Sequence, residues 1–357
     1  MTVEPAMKPA LPTLLLVPTG IGCEVGGFAG DALPSARLLA AASGCLITHP
    51  NVMNGAALYW RDPRIHYVEG YGLDRFVAGD WCLHPVRQQR VGLLMDAGIE
   101  REMHLRHLQV ADGCRATLGL DIGPVVTTDV PLGVHLEMGE SGISWGTLSR
   151  PDALLRAGER LRDAGATAIA IVARFPEDPD SDALEAYRHG SGVDALAGAE
   201  AVISHLLVRH LQLPCAHAPA LAPLPLDAQL DPRAAGEELA YTFLACVLVG
   251  LSGAPNLVMP PVQPLPDLIH ADHLGAVVVP EGALGGEALL ACLERDIPLI
   301  TVDNPSLLAV TSASLGVEQR RLRARSYLEA AGFLMALREG IASRSLQRPL
   351  PPLRELS

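Results

Sequence analysis

Four side chains stand where acid–base chemistry would need them, near the exits of short apolar runs: His49, Glu69, Asp96 and His217. The run at 45–48 ends in His49-Pro50-Asn51, and the run at 91–95 delivers Asp96-Ala97-Gly98. In an open α/β sheet ligands bind beyond the carboxyl ends of the strands, so an imidazole or carboxylate there is placed to move a proton. Around these four are groups suited to holding a substrate. Asn51 and Asn54 can hydrogen-bond a carboxylate, an amide or a sugar, and Asp74 with Arg75 sits in a stretch dense in glycine and opposite charges. Arg174, at the end of an apolar run, has the planar fork that grips a carboxylate or phosphate, and Asn304 follows another such run at 298–302. Each also has a plainer use as a helix cap, a turn residue or one half of a surface ion pair.

Two glycine-rich turns complete the set. Thr19, Gly20, Gly22, Gly26 and Gly27 lie between an apolar run at 14–17 and an Ala/Leu-rich segment at 34–42 with helical character. Gly285 and Gly286 repeat the arrangement between a run at 275–280 and a helical segment at 287–296. Glycine lets backbone N–H groups approach an anion, and a helix start favours negative charge; a tight connection needing positive φ is the alternative. Neither a phosphate loop ending in Gly-Lys-Ser/Thr nor a dinucleotide fingerprint is present.

The expectation is therefore an enzyme acting on a small anionic metabolite, phosphorylated, nucleotide-like or carboxylated. The glycine turns would hold the anion, Arg174 would orient it, and His49 or His217 would exchange a proton with Glu69 or Asp96. Hydrolysis, transfer and isomerisation stay open, and no cofactor is specified. A regulatory protein that senses such a metabolite is one alternative. A metal-dependent hydrolase using His49, Cys215 and His217 is another, since residues two apart on a strand share a face. His104 and His107 share a helix face but lack the glutamate of a zinc-protease helix, and neither Ser141 nor Ser144 sits in Gly-x-Ser-x-Gly.

The elements that must position these groups are legible in outline. An amphipathic helix at 151–164, opened by Pro151 and closed by Gly165, leads to a strand at 167–173, and a helix at 287–296 leads to a strand at 298–302. Such steps predict an α/β fold with a mostly parallel sheet or sheets, helical crossovers and two lobes around a cleft. The expected division is an N-terminal lobe over 10–150 with the first glycine turn, a C-terminal lobe over 151–320 with the second, and a helix and tail over 321–357. Within it, 194–211 and 233–251 are expected as helices, the latter buried. Segment 139–149 is expected as a polar loop, 176–192 as an acidic excursion or lid, and the basic cluster 320–325 on a helix.

Composition limits the partners. Lysine and arginine number 27 against 40 aspartates and glutamates, a net charge of −13, and aromatics make up only 4% of residues. Nucleic acid and anionic membrane are disfavoured as partners, and there are few rings on which bases could stack. A homo-oligomer stays open. Seven scattered cysteines, odd in number and without Cys-x-x-Cys, fit a reduced cytoplasmic protein, and no apolar signal core precedes Pro18. The longest charge-free interval, 239–266, is broken by glycines and prolines before it reaches the roughly 20 apolar residues of a membrane span.

Several of these segments together resemble one family. Thr19-Gly20-Ile21-Gly22, His49-Pro50-Asn51, Val68-Glu69-Gly70-Tyr71-Gly72-Leu73-Asp74, Val172-Ala173-Arg174-Phe175-Pro176, Cys215-Ala216-His217-Ala218-Pro219-Ala220 and Gly285-Gly286 look like the domain of unknown function 3326, known mainly from cyanobacteria and plastid-bearing organisms. The resemblance spans about residues 14–311 and carries no reaction or catalytic residue with it. It implies a cytosolic protein of a photosynthetic prokaryote, or a plastid one given an import segment.

Overall fold

The computed structural model describes residues 9–355 apart from 19, 56–60, 141, 179–180, 240, 262–266, 347, 351 and 354. The strands in chain order are β1 (Leu11–Leu15), β2 (Gly44–Thr48), β3 (Ile65–Tyr67), β4 (Cys82–His84), β5 (Val91–Met95), β6 (Ile122–Thr127) and β7 (Val134–Met138). They continue as β8 (Ser144–Leu148), β9 (Ala168–Arg174), β10 (Cys215–Ala220), β11 (Asn256–Val258), β12 (Ala276–Pro280), β13 (Leu299–Val302) and β14 (Arg321–Ala324). Two sheets dominate, one ordered β14-β13-β12-β1-β2-β3 and the other β10-β9-β5-β6, and every pairing within them is parallel. The protein is therefore α/β, as its helix-to-strand steps predict. The six-stranded sheet is assembled from both ends of the chain, and the four-stranded one from its middle.

The central strands β5 and β12 are apolar and buried at every position because helices cover both faces. In β12, Ala276 and Val278 face the helices Leu33–Ser43 and Tyr327–Glu339, while Val277 and Val279 face Gly70–Ala78 and Glu287–Glu294. The four-stranded sheet repeats this. Leu93 and Ala170 face the helices Arg101–Leu118 and Leu244–Ser252, and Leu94 and Ile171 face Pro151–Asp163 and Ala197–Leu211. Each apolar cluster runs on from one sheet into the other, so the sheets share their packing.

Four local expectations are corrected. The segment at 233–251 is two helices, Pro232–Glu238 and Leu244–Ser252, because Phe243 adopts a left-handed φ of 54° between them, and Leu239 is exposed. Segment 139–149 is largely β8, paired antiparallel with β7; its alternation is short, and Gly146 allows the helix Ala197–Leu211 to pack close above it. The basic cluster does not lie on an α-helix: Arg320 ends a short 3-10 turn and the residues after it supply β14 at the sheet edge, where Arg323 pairs with Asp303 at 2.9 Å. Within 176–192 lies the helix Asp182–Arg188, whose start is capped by the Ser181 hydroxyl accepting from the Leu184 N–H.

Candidate functional site

The exits of β1, β2 and β3 meet those of β9 and β10 across a cavity of about 920 Å³. Two segments, around 176–197 and 221–239, supply further walls. They are tied together from within. Arg188, 8% exposed, donates to Glu238 at 2.8 Å and to the Pro225 carbonyl at 2.7 Å. Tyr187 donates to Glu237 at 2.8 Å and stacks on Phe28 with ring centres 4.4 Å apart, which joins these walls to the first glycine turn.

The helix Ala197–Leu211 turns Glu200, Ala201, Ser204 and His205 toward the cavity, Ser204 lying at i+4 from Glu200 and at i+3 from Ala201, and His205 at i+4 from Ala201. His217 reaches it from β10. Its Nδ1 lies 2.5 Å from the Ser204 hydroxyl and its Nε2 3.2 Å from a Glu200 oxygen, so helix and strand fix one imidazole from both sides. Just before the helix, Asp194 accepts from the Leu196 N–H at 2.8 Å, and burial followed by the charge of Glu200 pushes its pKa up to about 7. Glu237 bonds to Tyr187 and to the Ala29 N–H; burial and then the Asp194 charge drive its carboxyl well above the usual range. Glu69 caps the helix Gly70–Ala78 by accepting from the Tyr71 N–H at 2.8 Å, and it pairs with His205. His49 accepts from the Val17 N–H through Nε2 at 3.2 Å, and burial lowers its pKa to about 4. It is thus neutral near pH 7, with the proton on Nδ1.

Of the residues singled out from sequence, His49, Glu69, His217, Asn51, Asn54, Asp74, Gly285 and Gly286 line this cavity together. Asn51 donates to the Gly26 carbonyl at 3.3 Å, and Asn54 accepts from the Tyr67 hydroxyl at 3.0 Å. Asp96, Arg75, Arg174, Asn304, Gly20, Gly22, Gly26 and Gly27 are not among its described lining residues, and Thr19 lies outside the described residues. Asp96 is 1% exposed and accepts from three backbone N–H groups, those of Gly98, Leu132 and Arg174. Arg174 grips Glu100 at 2.9 Å and Glu177 at 2.6 Å, Arg75 pairs with Asp80 and Glu287, and Asn304 holds Val25 and Tyr327.

The N–H groups of the glycine turns are engaged, and by the protein's own side chains. In the first turn the Gly26 N–H donates to Asp31 at 2.6 Å, the Val25 N–H to Asn304 at 2.9 Å and the Ala29 N–H to Glu237. Gly22 approaches the Gly192 carbonyl, and the Gly20 carbonyl accepts from the Ser144 N–H at 3.1 Å. At the second turn the Ala288 N–H donates to Asp74 at 2.9 Å. Cys215 is buried with its thiol pushed well up by that burial, and His217 pairs with Ser204 and Glu200 instead. Among the described residues, no group of three or more His, Cys, Asp or Glu side chains is arranged to hold a metal ion.

Residues 12–347 match the model of a family described as protein of unknown function, DUF3326. The chain belongs to that family. It is also 54% identical over 338 residues to an uncharacterized lipoprotein of Synechococcus sp., an alignment covering 94% of this chain and 93% of the relative. The cytoplasmic location expected from the cysteines is corrected by the word lipoprotein in that relative's name. The cysteine argument fails for a physical reason: all seven thiols are buried and free, so packing shields them from oxidants whatever the compartment. No described helix is long and apolar enough to cross a membrane.

Sequence reasoning did not select Asp194, Ser204, Tyr187 or Glu237. A signal existed for Ser204, which lies at i+4 from Glu200 on a helix that is largely aliphatic before Arg209. None existed for Glu237, which reaches Ala29 across 208 residues of chain.

Proposed function

We propose that the cavity is the active site of an enzyme that moves protons on a small molecule, with Asp194 as the acid and Glu200 as the base. The observation that carries this reading is that Asp194, Glu200, Ser204 and His217 meet around one cavity. Burial first, and then the charge of Glu200, push Asp194 up to about 7, the value at which a carboxyl both holds and releases a proton near neutrality. Ser204 and His217 are positioning residues in this scheme, because the imidazole bridges the serine hydroxyl to a Glu200 oxygen. Neutral His49 has its Nε2 occupied and an Nδ1 proton to donate to a substrate oxygen. The site's location at converging strand exits also supports a ligand-binding role.

The anionic substrate expected from the glycine turns has less support. The donors that suggested it are engaged by Asp31, Glu237 and Asp74, and Arg174 is engaged by Glu100 and Glu177. The test is comparative: native protein and Glu200→Gln are each incubated with a small-molecule extract, and mass spectrometry records compounds depleted and formed. Conversion by the native protein alone is expected. Identical extracts after both incubations would refute catalysis.

A further inference from the structure

We infer that the cavity takes an organic cation, a protonated amine or guanidinium group carried on an aliphatic body. This deepens the proposed function and shares with it the cavity as the site. Among the described lining residues are nine aspartates and glutamates, one arginine and no lysine. The arginine, Arg188, is committed to Glu238 and to the Pro225 carbonyl. His205 pairs with Glu69 and His217 with Glu200, and His49 is neutral. Arg174 and His189, from outside the lining, pair with Glu177 and Asp227, which leaves carboxyls with no ion pair among the described residues. Asp194 and Glu237 are the chief examples, brought from before the helix Ala197–Leu211 and from the helix Pro232–Glu238.

Their surroundings state the same need from the ligand's side. Burial pushes both carboxyls upward, Asp194 further by the charge of Glu200 and Glu237 further by that of Asp194, and the nearby His217 offsets this at Asp194 only in part. A ligand ammonium would supply that charge and accept their hydrogen bonds' direction, its N–H groups donating and the carboxylates receiving. An anion would meet the opposite: the strand-exit N–H groups that could hold it already donate to Asp31, Glu237 and Asp74. Much of the wall is aliphatic, including Leu73, Leu136, Leu184, Leu196, Leu221 and Val247, which suits an alkyl chain. The volume of about 920 Å³ is that of a small-molecule site.

Isothermal titration of the full chain at pH 8 tests the inference, with hexylammonium, butylguanidinium, hexanol and hexanoate as probes. The two cations are expected to bind, hexanol about ten-fold more weakly than hexylammonium, and hexanoate not measurably. The Asp194→Asn, Glu237→Gln double variant, checked for native circular dichroism, is expected to lose about ten-fold in hexylammonium affinity while hexanol binding stays the same. Absence of cation binding, hexanoate binding as tight as hexylammonium, or undiminished hexylammonium affinity in the folded double variant would overturn it. These outcomes separate the two readings. Conversion of a neutral compound without cation binding would remove the ligand class and keep the enzyme, whereas cation binding with unchanged extracts would do the reverse.

Discussion

Replacing Asp96 by alanine should destabilise the fold severely, and the size of the effect follows from its bonds. One carboxylate oxygen accepts from the Gly98 N–H at 2.8 Å and the Leu132 N–H at 2.9 Å, while the other accepts from the Arg174 N–H at 3.0 Å. These donors come from the exit of β5, the approach to β7 and the last residue of β9, so a single side chain ties three segments together. A buried donor left without an acceptor costs about 1–3 kcal/mol. Three of them, with some relief from an entering water, give about 3–6 kcal/mol, a large part of the roughly 5–15 kcal/mol that holds a domain folded. Asparagine keeps one oxygen for two donors and turns its NH₂ against the Arg174 N–H, so about 1–3 kcal/mol is expected. Urea unfolding followed by circular dichroism measures both variants. A loss below about 1 kcal/mol for Asp96→Ala, or equal losses for the two variants, would refute the reasoning. Hexylammonium affinity of folded Asp96→Asn should stay native, and a selective loss of binding would place Asp96 in the site after all.

Three other predictions rest on different bonds. Asp194 has a folded pKa raised above its unfolded value, so its stabilising contribution is complete below about pH 4 and is lost as pH rises through about 7. Glu200, His217, Glu237 and Tyr187 are the titratable groups facing it, so thermal unfolding of Asp194→Asn is compared with native protein point by point. The stability difference should shift in the variant's favour by up to about 1.4 kcal/mol per pH unit between pH 4 and 7, and a constant difference would contradict the assignment. Gly26→Ala should cost more than about 1 kcal/mol, because its φ is 98° and a Cβ would strike Val17, whereas Gly285→Ala, with open space around it, should change unfolding by less than that. Asp74→Ala should free the Ala288 N–H at its helix start, so that added sulfate raises the melting temperature of the variant more than that of the native protein; equal shifts would argue against the Asp74 bond.

Local pattern revealed the elements whose neighbours in sequence are also their reasons for existing. The strand at 91–95 and the helix at 151–163 are such cases, the first a continuous apolar run and the second opened by Pro151 with an apolar stripe along it. The order of strands was hidden, because β1 pairs with β12 through Leu14 and Val277, and nothing near either residue records the other. The basic cluster misled for a related reason. Arg321 and Arg323 alternate with Leu322 and Ala324 on an edge strand, but the same residues at helical spacing suit a solvated helix.

At the candidate site the sequence reported chemistry and withheld its occupants. Glycine turns before helices were expected to hold anions, and the Ala288 and Gly26 N–H groups do point at carboxylates. The carboxylate at Ala288 is Asp74, 214 residues away, and the one at Ala29 is Glu237, 208 residues away. A short-range motif fixes the sign of charge a turn prefers; only the fold decides whether solvent, ligand or a distant side chain supplies it. Once the protein supplies it, the turn no longer calls for a ligand anion. Asp194, raised by burial and by the charge of Glu200, forms no ion pair of its own, so a turn that seemed to call for an anion stands beside a cavity for which we infer a ligand of the opposite charge.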